Sequence, residues 1–209
     1  MRASAILPLV LAFASVAGAC HAAELTIKVV TLSGQPVSDA VVLYEPDVRP
    51  VGRAIRFPWP LVVEQRNMQF RPFVLIAPVG AEVSFPNHDP FRHHVYSFSP
   101  PKTFELKLYG HEETRSVRFD KPGVIALGCN IHDDMSAFIR VVNTPFAAKS
   151  AAGDARIHDV PAGRGRLIVW HPYIKGGRDL TRAVEIGEPG LSVTLVADVR
   201  PGPMKHGGY

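Results

Sequence analysis

Cys129, His132 and Met135 stand at even three-residue steps in the run Gly128-Cys129-Asn130-Ile131-His132-Asp133-Asp134-Met135. A thiolate and an imidazole suit copper in both oxidation states, and a thioether adds a weak axial ligand that favours Cu(I). Zinc fits less well, because it makes little use of a thioether and its structural sites are closed by four Cys/His ligands. A Cys–His nucleophile pair is the other alternative, but it needs an orienting Asn or Asp and leaves Met135 without a role. A trigonal copper site requires one more imidazole. The segment from Gly80 to Tyr96 offers three: His88, His93 and His94.

Such donors converge only if rigid elements carry them. Val124–Leu127 and Ala137–Val142 are strand-like and would hold the Cys-His-Met loop between them. The alternation of Val83 and Phe85 predicts a strand, Asn87 to Pro90 a turn, and His94 to Phe98 a second strand. His93 then lies at the mouth of that strand, where its side chain can enter a site. Phe104, Leu106 and Leu108 alternate with Glu105 and Lys107, the period of a half-buried strand, and Val117 and Phe119 repeat it. Tyr96, Phe98 and Phe138 are expected in the core. Pro 19 and Gly 17 interrupt nearly every window long enough for a helix, so the expected class is all-β.

The pattern Gly80-x-x-Val83-x-Phe85-x-Asn87, then His93-x-Val95, then Cys129-x-x-His132-x-x-Met135 resembles the cupredoxins, the small blue copper proteins. The two-residue gap between His132 and Met135 resembles the short ligand loop of the amicyanin type. The run from Phe85 to Pro145 is similar to exported cupredoxin-like proteins labelled methylamine utilization protein. The resemblance implies a Greek-key β-sandwich and one type 1 copper held by His93, Cys129, His132 and Met135. Two positions depart from the pattern. His94 stands where cupredoxins have a bracing Asn, and Ile131 stands where the amicyanin loop has Pro. A changed brace can alter rigidity, potential or metal choice. His94 is therefore a second-sphere group, a replacement ligand or a polar strand residue. Asn87 and His88 are expected as turn residues, and Asp133 and Asp134 as a solvated loop face.

The flanks carry a second resemblance. Val30 to Leu43 reads strand, Gly-Pro turn, strand, and Gly153-x-x-x-Ile157-x-x-Val160-Pro161-Ala162-Gly163 precedes the strand Leu167–Trp170. Both look like parts of a carboxypeptidase-regulatory-like β-sandwich. The expected organisation is a signal segment at 1–22, the first part of a small β-sandwich at 23–61, the copper domain at 62–143, the second part of the sandwich at 144–200 and a flexible tail at 201–209. A tandem arrangement is the alternative to this insertion. His111, His158, His171 and His206 lack paired spacing and are expected to be structural or solvated.

Arg2 followed by the uncharged run Ala3 to Ala19 has the form of a secretory signal cleaved near Ala22. Lipidation at Cys20 competes, although Ala17 stands where such signals carry Leu. The run is short for a membrane span and no comparable one follows, so no transmembrane segment is expected. Cleavage removes Cys20 and leaves Cys129 without a disulfide partner in an oxidising compartment. With Lys+Arg 23 against Asp+Glu 19 and no charge block, nucleic acid is not expected as a partner. The favoured function is a periplasmic electron carrier and not an enzyme. Its redox partner would be a dehydrogenase or cytochrome, which the amicyanin resemblance places in amine oxidation. The alternative is a copper-binding or delivery protein without redox turnover.

Overall fold

Alternating side chains decide how the strands stack. The computed structural model describes residues 23–50, 52, 54–132 and 134–202; the expected signal segment, Asp133 and His206 lie outside them. The protein is all-β, with several sheets, and its one helical element among the described residues is a single turn at Lys175–Gly177. Strand β1 (Ala23–Val30) lies between β13 (Asp154–Val160), antiparallel, and β16 (Gly190–Val196), parallel. Facing it is a four-stranded sheet in the order β12 (Ala147–Lys149), β2 (Val41–Pro46), β14 (Gly163–Trp170), β15 (Leu180–Ile186). Leu25, Ile27 and Val29 of β1 close one core with Val42, Tyr44, Leu167 and Val169. Strands from both ends of the described chain build these two sheets.

The intervening chain forms a five-stranded sheet, ordered β5 (Val74–Pro78), β11 (Ser136–Val142), β10 (Gly123–Gly128), β7 (His93–Ser99), β8 (Lys102–Tyr109). A pair, β6 (Ala81–Pro86) with β9 (Thr114–Phe119), covers it, and a short hairpin joins β3 (Glu64–Gln65) to β4 (Phe70–Arg71). Val83, Phe85, Phe119, Ile125, Ile139 and Val141 fill the second core. Each such buried side chain contributes about 1.5–3 kcal/mol, so this core stands on apolar burial.

A third cluster explains the continuous apolar runs of β2 and β14. While Val42 and Tyr44 point into the first core, Val41 and Leu43 pack with Val74, Ile76, Val142, Ile168 and Trp170. Both faces of these strands are covered, and a strand buried on both sides has no polar alternation to show. Phe138, expected in a core, packs edge-on against Trp170 at 5.9 Å, and Arg140 reaches Asp179 at 2.6 Å beside it. The five-stranded sheet is thereby fixed on the four-stranded one.

Two expectations are overturned here. Leu108 is 50% exposed and Tyr109 is buried, because Lys107 and Leu108 together oppose His94 across the β7–β8 ladder and shift its phase. Phe98 is 78% exposed. Its strand turns His93, Val95 and Ser97 inward, which sends residues 94, 96 and 98 to the other face.

Candidate metal centre

The loop Cys129–Met135 is closed at its base by the β10–β11 pair Gly128↔Ser136. Within it the Met135 amide donates to the His132 carbonyl at 3.0 Å, which closes the end of the loop into a turn. Cys129 and Met135 are buried in the same cluster, while His132 is half-buried. Strand β7 enters beside this loop through the pair Tyr96↔Gly128 and carries His93, which is fully buried. His93 Nδ1 lies 3.7 Å from Cys129 Sγ. Ligand atoms of His93, Cys129 and His132 all fall within 4.8 Å of one another, the one such three-donor group among the described residues.

Phe91 covers this group. Its ring centroid is 5.1 Å from that of His93 and 5.5 Å from that of His132, and the two imidazoles are 5.2 Å apart. His132 Nδ1 is buried with no hydrogen-bond partner. An orphaned ring nitrogen is costly unless something accepts its lone pair, and here it belongs to the same histidine that meets a thiol and a second imidazole. This donor set fits copper: two imidazoles, one thiol and a neighbouring thioether are consistent with a type 1 site.

His94 points the other way. Its Nε2 meets Glu105 Oε1 at 2.8 Å and its ring lies against Tyr96, 5.7 Å between centroids. The adjacent histidines of one strand thus serve opposite faces. His88 contacts Glu112 at 3.1 Å and Glu64 at 3.8 Å, outside the donor group. His111 and His158 pair with Glu112 and Glu24, and His171 is buried elsewhere. Asp134 is exposed on the loop.

Sequence reasoning missed the supports beneath His93. Asp89, 3% exposed, receives His93 Nε2 at 2.7 Å on its carboxylate, together with the Asn67 amide at 2.6 Å and the Met68 amide at 3.0 Å. Burial pushes the Asp89 carboxyl up, but the Met68 amide, His93 and the Asn67 amide outweigh it and hold it below the usual aspartate range. Asn87, expected as a plain turn residue, is fully buried. Its side-chain amide donates to the Phe91 carbonyl at 2.8 Å and the Tyr109 carbonyl at 3.1 Å, and its Oδ1 accepts the Asp89 amide at 2.9 Å. Asn87 therefore sets both Asp89 and Phe91. Tyr109 faces His93 across the ladder, donates to the Phe85 carbonyl at 2.9 Å and receives Gln65 Nε2. Burial raises its phenol to about 12, against smaller opposing effects of Gln65 and Arg115. A Tyr109 that stays neutral is a fixed donor, and a fixed donor keeps the β7–β8 end in place.

No protein-family model matches the chain, and no curated protein matches it. Among solved structures it is similar to an oxidized mutant of amicyanin, at 20% identity over 39% of this chain and 80% of that one, with a TM-score of 0.37. It is also similar to the novel purple cupredoxin from Nitrosopumilus maritimus, at 21% identity over 39% of this chain and 96% of that one, TM-score 0.35. The copper-containing nitrite reductase from Thermus scotoductus SA-01 is similar at 30% identity over 56% of this chain, TM-score 0.39. This chain spans only 28% of that enzyme.

Proposed function

We propose that residues 62–143 form a cupredoxin-type module with one type 1 copper, in an exported protein that carries single electrons between redox partners. The observation that carries this reading is the convergence of His93, Cys129 and His132 within 4.8 Å at the adjoining ends of β7 and β10, with Met135 buried in the same cluster as Cys129. Copper bound there supplies a one-electron couple between Cu(II) and Cu(I). The chain's own contribution is to hold the donors so that little moves when the charge changes. His93 is fixed from behind by Asp89, the Cys129–Met135 loop by the Gly128↔Ser136 pair, and the Phe91 ring packs against both imidazoles. His132 is half-buried, and Phe91 (39% exposed) and Ile131 (47%) flank it with apolar surface. A dehydrogenase or cytochrome that docks by excluding water would approach there, and amine oxidation is the setting we propose. A buried thiol committed to metal also suits an oxidising periplasm, where a free one is exposed to mispairing.

The visible spectrum of the mature protein after Cu(II) addition tests the proposal, followed by voltammetry. An intense red-region thiolate-to-copper band, absent in Cys129→Ser, together with a reversible one-electron wave is the expected result. Tight copper binding with a pale spectrum and no reversible wave would identify a delivery protein instead.

A further inference from the structure

The hairpin between β3 and β4 turns on Asn67 and Met68. Arg66 and Gln69 exchange both backbone hydrogen bonds, at 3.0 and 3.2 Å, and the two central residues have φ of 55° and 54°. Two successive positive φ values are the requirement of a type I′ hairpin turn. Asn tolerates this conformation, but Met does not favour it, and such residues persist where surrounding contacts over-determine them. The contact here is one carboxylate. Both turn amides donate to Asp89, on its two different oxygens, and Oδ2 also faces His93 Nε2. Asp89 thus bridges a conformationally costly turn and the most buried histidine of the metal centre.

We propose that Asp89 is the positioning residue of this centre: it fixes His93 in the tautomer whose Nε2 carries the proton, leaving the Nδ1 lone pair aimed at Cys129 and biasing the site toward Cu(II). Each Asp89 oxygen already accepts a backbone amide, Oδ1 from Asn67 and Oδ2 from Met68, so the carboxylate meets the ring as an acceptor and the proton of the 2.7 Å contact lies on Nε2. A neutral imidazole then has its lone pair on Nδ1, the atom 3.7 Å from Cys129 Sγ. A carboxylate behind a histidine ligand makes the ring a stronger donor, and a stronger, harder donor favours the more highly charged metal ion. The two amides matter because they occupy the carboxylate from the far side and keep it from rotating away. Asn in place of Asp would set its NH2 against one of the three N–H donors that now converge on the carboxylate.

The electronic part of this inference rests on the copper reading, while the tautomer does not. Nitrogen-15 NMR of the metal-free full-length mature protein reads the His93 ring directly. The expected result is an Nε2–H tautomer in the parent and a mixed or Nδ1–H ring in Asp89→Asn. In the copper-loaded proteins, Asp89→Asn is expected to lower the ratio of Cu(II) to Cu(I) affinity on the order of tenfold, an upward shift of about 59 mV for one electron. An Nδ1–H tautomer in the parent overturns the proposal even if the variant does not fold. So does a folded Asp89→Asn protein with unchanged tautomer and unchanged affinity ratio, since Asp89 would then only cap the turn. An Nε2–H parent ring that is lost in the variant, without any blue band, upholds the positioning role and removes the electron-carrier reading.

Discussion

Tyr96 lies directly on the backbone of Gly128: a Cβ built at Gly128 would sit 2.6 Å from the Tyr96 ring Cζ and 2.7 Å from its hydroxyl oxygen. Gly128 is the residue before Cys129, and the two strands pair at this point. The ring therefore presses on the strand that delivers the thiol, and the absence of a side chain sets how closely β7 and β10 approach.

Gly128→Ala is accordingly expected to cost about 1–3 kcal/mol, the usual range for overpacking. In a Tyr96→Ala background the same methyl has room, and its cost should fall to near zero. Denaturant unfolding of the two single variants and the double variant measures this coupling. Equal costs in both backgrounds would mean that Tyr96 yields freely and does not fix the strand spacing.

What the sequence could reveal follows from which forces were local. The Cys129-x-x-His132-x-x-Met135 spacing is a property of one loop, so its chemistry can be read without knowing the fold. The strands carrying Val83 and Phe85, or Phe104 and Leu106, show their inward face by period two. Leu108 breaks that pattern because Tyr109 has distant partners, the Phe85 carbonyl and Gln65, and the ladder bulges to let it reach them. Phe98 misleads for a related reason: His93 must face the donors, and the strand's parity then sends residues 94, 96 and 98 to the opposite face, where His94 is buried, Tyr96 half-buried and Phe98 exposed. Asp89 was illegible. Its role depends on amides 21 and 22 residues away that converge on it only in three dimensions.

The parity of β7 separates the adjacent histidines. His93→Ala is expected to abolish the copper colour, and His94→Ala to retain it with at most a shift in band or potential, since His94 bonds Glu105 on the opposite face. Spectra of the two copper-loaded variants distinguish the cases. Loss of colour in His94→Ala alone would move the ligand by one residue and require β7 to rotate.

His171 gives a pH test that involves no metal. Burial lowers its pKa below the ordinary 6.5, against opposing effects of the Asp39 charge and a hydrogen bond with the Ser38 backbone. The Tyr173 amide donates to His171 Nδ1 at 3.2 Å, which requires that nitrogen unprotonated. The folded state thus binds this proton less readily than the unfolded chain. Its contribution to stability is present above about pH 6.5 and is lost as pH falls through the lower folded value. Stability of the metal-free protein should therefore decline on acidification through that window, and His171→Gln should flatten the decline. Parallel curves for parent and variant would show that His171 charges without penalty.

Met135 distinguishes a carrier from a store. It is 2% exposed, in the same cluster as Cys129, so a substitution must conserve volume to leave the loop in place. Gln has similar length and offers a harder oxygen donor in place of the thioether. A weak axial thioether adds little to Cu(II) binding but favours Cu(I), and oxygen reverses that preference. In an electron carrier, Met135→Gln is expected to keep copper bound and to move the reduction potential down. A delivery site that holds Cu(I) through Cys129 and Met135 would instead lose Cu(I) affinity sharply. Voltammetry with a Cu(I) competition titration on parent and variant reads both quantities. A lower potential with a modest change in Cu(I) affinity is the carrier's signature; a large loss of Cu(I) binding, with no reversible wave in the parent, would sink it.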